Sequence, residues 1–160
     1  MQATLKLSKA ERTMLKLLQA DASLSMENLA QQVNLSKSAC WRRLQNLIDQ
    51  GVITQKVTLL NQKMLNLDLT VYISVRTKQY SEQWAEKFKT LVRDIPELLE
   101  VHRMTGDRDY LLKAVVTDMS GYDLLFKQLS KADLIDISSS FVMETMKQTT
   151  QLPLTYIADN

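Results

Sequence analysis

The hydrophobic period of this chain changes once, and that change limits the fold more than any other feature. Through the first fifty residues the apolar positions recur at helical spacing in three short runs. Ala10, Met14, Leu17 and Leu18 make the first stripe, Met26, Leu29, Ala30 and Val33 the second, and Cys40, Leu44, Leu47 and Ile48 the third. From Leu67 the rhythm is two: Leu67, Leu69, Val71, Ile73 and Val75 alternate with Asp68, Thr70, Tyr72, Ser74 and Arg76. That is the pattern of a strand. A stripe of period 3.6 cannot serve as a strand face, so neither an all-α nor an all-β fold accommodates both halves. An α+β chain of two modules is expected, with 1–60 helical, 61–66 a linker and 67–160 the sheet-bearing module.

Composition permits this. The chain has 160 residues, 45% hydrophobic and 24% charged, enough for one domain or two small ones. Three Gly and two Pro exclude collagen-like and loop-dominated architectures, and the one Cys excludes an intramolecular disulfide. No run approaches the 18 apolar residues of a membrane span, and residues 1–12 do not resemble a signal peptide. A cytoplasmic protein is expected. The charge is uneven: residues 1–60 hold eight Lys/Arg against four Asp/Glu, a net +4, and the rest nets −2. A basic first module on a slightly acidic remainder suits a polyanion partner.

Local signals sharpen the first module. Ser8-Lys9-Ala10-Glu11 has the form of a capping box. Asp21-Ala22-Ser23 breaks the first stripe, Ser25 caps the second helix, and Asn34-Leu35-Ser36 makes a tight turn into the third. Gly51 stands where a left-handed residue ends that helix. The β-branched run Val52–Leu59 predicts a strand, or wing. Three short helices with a tight turn before the last, followed by a wing, read as a winged helix-turn-helix. Ser36, Lys37, Ser38, Trp41, Arg42 and Gln45 lie off the buried stripe of the third helix, with Arg43 at its edge. Cations and hydrogen-bonding groups on such a face are what phosphates and base edges of double-stranded DNA require. A merely solvated face is the plain alternative, but an exposed Trp41 calls for a partner.

In the second module Ser81 caps a helix carrying Trp84, Ala85, Phe88, Leu91 and Val92 on one face. Pro96 ends it, 98–105 reads as a strand, 106–109 as a turn and 110–117 as another strand. Ser120 is expected to cap a helix with Tyr122, Leu125, Phe126 and Leu129, and 135–147 to form the last strand. The order β-α-β-β-α-β is the split arrangement of ferredoxin-like domains, with both helices on one face. Tyr110, Leu112, Ala114 and Val116 alternate with Leu111, Lys113 and Val115, so an apolar second face covered by another subunit is expected.

Catalysis finds no support. His102 and Cys40 stand in different modules, no Cys/His spacing suggests a metal, and Gly51, Gly106 and Gly121 are too far apart for a phosphate loop. No catalytic residue, metal or cofactor is expected. Asp107 and Asp109 flank Arg108 at a turn, where two carboxylates alone do not make a hydrolase.

Taken together, the segments resemble the leucine-responsive regulatory protein/asparagine regulator (Lrp/AsnC, feast/famine) family of transcription factors. The resemblance is carried by Asp21-Ala22-Ser23-Leu24-Ser25, Val33-Asn34-Leu35-Ser36, Cys40-Trp41-Arg42-Arg43-Leu44 and Gly51-Val52-Ile53. Thr105-Gly106-Asp107-Arg108-Asp109-Tyr110-Leu111-Leu112, Asp118-Met119-Ser120 and Ser139-Ser140-Phe141-Val142-Met143-Glu144 carry it further along. It implies a winged helix-turn-helix joined to an amino-acid-sensing ferredoxin-like domain, in dimers that assemble into octamers or related rings. It also implies a ligand between dimers, near Gly106–Asp109. A free amino acid needs a carboxylate for its ammonium and hydroxyls or amides for its carboxylate. Gly106, Asp107, Asp109 and Tyr110 are therefore expected at the effector, with Asp109 on the ammonium. Ser138, Ser139, Ser140, Thr149 and Thr150 are the hydroxyl candidates. The expected function is sequence-specific transcriptional regulation modulated by an amino acid. The alternatives are a ligand-independent DNA-organising oligomer and, from another class, a metabolite-binding protein that ignores DNA.

Overall fold

Serines open each of the first three helices in the computed structural model, which describes residues 5–159. After a two-residue strand β1 (Lys6–Leu7), helix α1 (Lys9–Ala20) begins on Ser8. The Ser8 hydroxyl accepts the Glu11 amide at 3.3 Å, and the Glu11 carboxylate accepts the Ser8 amide at 2.8 Å. That reciprocal pair satisfies two amides the helix leaves unpaired. Ser25 does the same one-way service for α2 (Met26–Gln32), and Ser36 for α3 (Lys37–Asp49), by accepting the Asn28 and Ala39 amides. Asn34 and Gly51 take the left-handed conformation after α2 and α3, at φ 54° and 71°.

Leu7, Met14, Leu29, Cys40 and Leu47 are buried essentially completely and, with Leu15, Ala30, Val33 and Leu44, form the first core. Two positions differ from the expected stripes. Leu15 is buried, whereas Ile48, on the last turn of α3, is 38% exposed. The predicted wing strand 52–59 is absent. Val52 and Ile53 turn back onto the first core, both amides donating to the Leu47 carbonyl, and 54–60 runs on exposed with no strand partner among the described residues. β-branched residues favour extended backbone, but only a paired edge makes a strand of it.

Residues 61–66, expected as a linker, hold a 3₁₀ turn (Gln62–Leu65) capped by Asn61 and closed by Asn66 at φ 58°. It belongs to the second compact unit, Leu60–Met146. That unit contains β2 (Leu69–Thr77), α4 (Glu82–Arg93), β3 (Leu98–Arg103), β4 (Tyr110–Val116), α5 (Met119–Leu129) and β5 (Leu134–Phe141). The sheet order is β3-β4-β2-β5 with every pair antiparallel, as the split arrangement requires. Val71 faces Ala114 and Ile73 faces Leu112 across the central pair. With Val75 and Val116 they meet Phe88 of α4 and Leu125 and Leu129 of α5 in the second core, so both helices cover one face.

Three expectations for this unit are corrected. Asp118, not Ser120, caps α5: its carboxylate accepts the Gly121 amide at 2.9 Å, and Ser120 sits exposed in the first turn. β5 stops at Phe141 rather than 147, because the last amide there, Val142, already bonds Thr70 at the start of β2 and no described strand lies beyond to pair with. The second sheet face is mixed rather than apolar. It carries Tyr72, Ser74 and Arg76, Leu111 and Lys113, Glu100 and His102, and Ser138 and Ser140.

The chain beyond Met146 does not stay with the sheet. From Lys147 it joins the first unit, where β6 (Ala158–Asp159) pairs in parallel with β1. The Arg12 guanidinium donates to the Leu154 carbonyl and, at 2.9 Å, to that of Ile157. Gln19 and the Leu152 backbone exchange two bonds, and Leu154 and Ile157 pack on the first core. The expectation of a single module 67–160 is corrected accordingly.

Candidate nucleic-acid interface and effector region

Burial of Cys40, Leu44 and Leu47 fixes the rotation of α3. At helical spacing this turns 37, 38, 41, 42 and 45 away from the core. Lys37, Ser38 and Arg42 are exposed, and Trp41 is 57% exposed. Lys37, Ser38 and Trp41 line one open depression together with Met26, the first residue of α2. Ser36 is committed to its cap, and Gln45 donates to Asp49 at 3.0 Å along the helix. Arg42 has no partner among the described residues and is free to meet a phosphate. The amino end of α3, with its unpaired amides, adds favourable potential for an anion there.

Arg43 departs from the predicted role. Its guanidinium donates to the Ser8 hydroxyl at 3.1 Å and pairs with Glu11 at 3.3 Å, tying α3 to the cap of α1. Burial pushes the Glu11 carboxyl up. The Ser8 hydroxyl and amide and the Arg43 charge outweigh it and hold the group below its ordinary value. Cys40 is fully buried, and burial pushes its thiol up.

The expected effector residues do not converge within one unit. Gly106 holds the 106–109 turn at φ 110°, with the Asp107 carboxylate exposed beside it. Arg108 pairs with Asp136, an ion pair sequence reasoning missed, because only the folded register brings β5 beside β2. Asp109 does backbone work. Its amide donates to Val75, its carbonyl accepts Met104, and its carboxylate accepts the Thr77 amide at 2.8 Å. Tyr110 packs on Phe88 and Trp84, ring centroids 4.8 and 6.0 Å away. Ser139 accepts the Tyr122 hydroxyl at 2.7 Å on the helix side, whereas Ser138 and Ser140 lie opposite Ser74 and Tyr72 on the other face. Thr149 and Thr150 belong to the tail, where Thr149 accepts the Gln151 amide. Missed as well was the open-face cluster in which Glu100 accepts Lys113 at 2.8 Å and meets His102 at 3.1 Å. Those two partners hold its carboxyl below the ordinary range.

A three-helix unit presenting the exposed amino end of its third helix, followed by a split βαβ sheet, defines a two-module DNA-binding regulator. Residues 7–54 match the winged helix-turn-helix DNA-binding domain and 70–152 the Lrp/AsnC ligand binding domain. The chain is 43% identical over 150 residues to the DNA-binding transcriptional activator DecR of Escherichia coli K12, covering 92% of this chain and 99% of that one. An AsnC family transcriptional regulator from Agrobacterium tumefaciens superposes with a TM-score of 0.89 at 42% identity, covering 94% and 99%. A transcriptional regulator from Neisseria meningitidis, solved as a complex with L-Met, superposes at 0.88 with 38% identity, covering 94% and 98%. The chain belongs to the Lrp/AsnC family of transcriptional regulators. It is a DNA-binding regulator with an effector-binding domain.

Proposed function

We propose that Lys37, Ser38, Trp41 and Arg42 at the amino end of α3 contact duplex DNA, and that a free amino acid held by the second unit sets DNA affinity or assembly. The exposed, acid-free face formed by those four side chains carries the reading. The methionine complex of the Neisseria relative supports an amino acid as the effector class. Gly106 and Asp107 at the exposed turn are the contributors from one subunit. Because the hydroxyl candidates point to different places, a second subunit completes the pocket. Self-association through the mixed sheet face, and on to octamers, is part of the same proposal, as is action in the cytoplasm. No described helix is long and apolar enough to cross a membrane.

A gel shift against the upstream region of its own gene, with and without each of the twenty amino acids, tests the reading. The expected result is a shifted complex whose affinity or size changes with one or a few amino acids. A complex indifferent to all twenty leaves a DNA-organising oligomer, and absence of any complex overturns the proposal.

A further inference from the structure

Met26 and Trp41 come from different helices yet share one depression, whose other lining groups are Lys37 and Ser38. Met26 packs partly against the first core, which holds its side chain in place, while the indole of Trp41 stands mostly in solvent. The result is an apolar corner with an ammonium and a hydroxyl on its rim and no carboxylate. We propose that this corner receives the 5-methyl group of a thymine in the major groove, making Trp41 and Met26 determinants of sequence preference. The inference rests on the reading of α3 as the DNA-contacting helix.

The chemistry selects the occupant. Of the four bases only thymine presents an apolar group in the major groove, beside an O4 acceptor. An indole face and a thioether give a methyl apolar contact, and Lys37 and Ser38 stand where donors to the neighbouring O4 or a phosphate are needed. The positive rim beside the amino end of α3 complements the polyanion, so the corner is presented to DNA rather than to an apolar partner. Deoxyribose is the other apolar surface of a duplex, but contact with it carries no sequence information.

Removing one methyl at a time tests this. A duplex is enriched from a random pool by the full-length protein, and each thymine is then replaced singly by uracil. At one thymine of the site, uracil is expected to weaken binding about fourfold, the weight of one buried methyl. Trp41→Ala and Met26→Ala should bind thymine and uracil equally at that position, and Trp41→Phe should keep part of the discrimination. Thermal unfolding of each variant confirms that it folds. A uracil scan flat in the parent overturns the proposal, as does a scan unchanged in both alanine variants. A loss in Trp41→Ala that is uniform over all sequences assigns the corner to the sugar-phosphate backbone and overturns it too. A parent protein that selects no duplex removes the DNA-contacting role of α3 itself, an outcome distinct from a flat scan.

Discussion

Arg42 and Arg43 are adjacent and chemically identical, and the helix sends them to different tasks. Arg42 stands exposed without a partner among the described residues, whereas Arg43 reaches Ser8 and Glu11. Arg42→Ala is expected to weaken DNA binding and, for a phosphate contact, to lower the salt slope by about one. Arg43→Ala should instead destabilise the fold by roughly 0.5–1.5 kcal/mol, read by denaturant unfolding, the net weight of hydrogen bonds of this kind. Glu11 makes the same linkage pH-dependent. Its folded carboxyl lies below its ordinary value of 4.5, so the linkage stabilises fully above that range and is lost as pH falls through the folded value. Acid unfolding of Glu11→Gln should lack this component while retaining the rest of the transition. Cys40 has a plainer role. With its thiol buried and pushed up, it should react slowly with thiol reagents in the native protein. Cys40→Ala should cost roughly 1–2 kcal/mol through lost packing, with DNA binding retained.

Among the elements, those decided by neighbours a few residues away were legible in the sequence alone. The caps at Ser8, Ser25 and Ser81 depend only on an oxygen three residues before an amide, and all three stand as expected. The left-handed residue at Gly51 is equally local. The cap of α5 was ambiguous because Asp118 and Ser120 both precede the apolar run. Asp118→Ala should cost about 1 kcal/mol and Ser120→Ala next to nothing, a difference that chemical denaturation resolves. What failed were elements whose existence depends on a distant partner. Val52–Leu59 has the composition of a strand without a described strand to lie against, and β5 ends where β2 begins rather than where its own apolar residues end. The structural bond of Asp109 was not legible for the same reason, since its carboxylate accepts the Thr77 amide, thirty-two residues away. Asp109→Ala should therefore loosen the end of β4 and lower stability by about 1–3 kcal/mol, whereas Asp109→Asn, which keeps an acceptor, should be milder.

For the molecule as a whole, the two modules were legible from the change of period, and the exposed face of α3 from its spacing. The return of the tail was not. A two-residue parallel pair and the Arg12 bond to Leu154, 142 residues away, leave no period to detect. The path of the chain makes the sheet unit an insertion within the helical one, bounded at both sides by the same small core. A single nick in the exposed stretch 54–60 should therefore leave the two fragments associated. They are expected to co-elute in gel filtration and to separate once Arg12→Ala and Gln19→Ala weaken the tail's hold. The same path governs how relatives can be recombined. Grafting a foreign helical module as residues 5–59 alone would leave its hydrophobic centre facing a tail chosen for another partner. A workable chimera has to exchange two pieces of sequence, the head and the tail from Lys147 onward, as one unit.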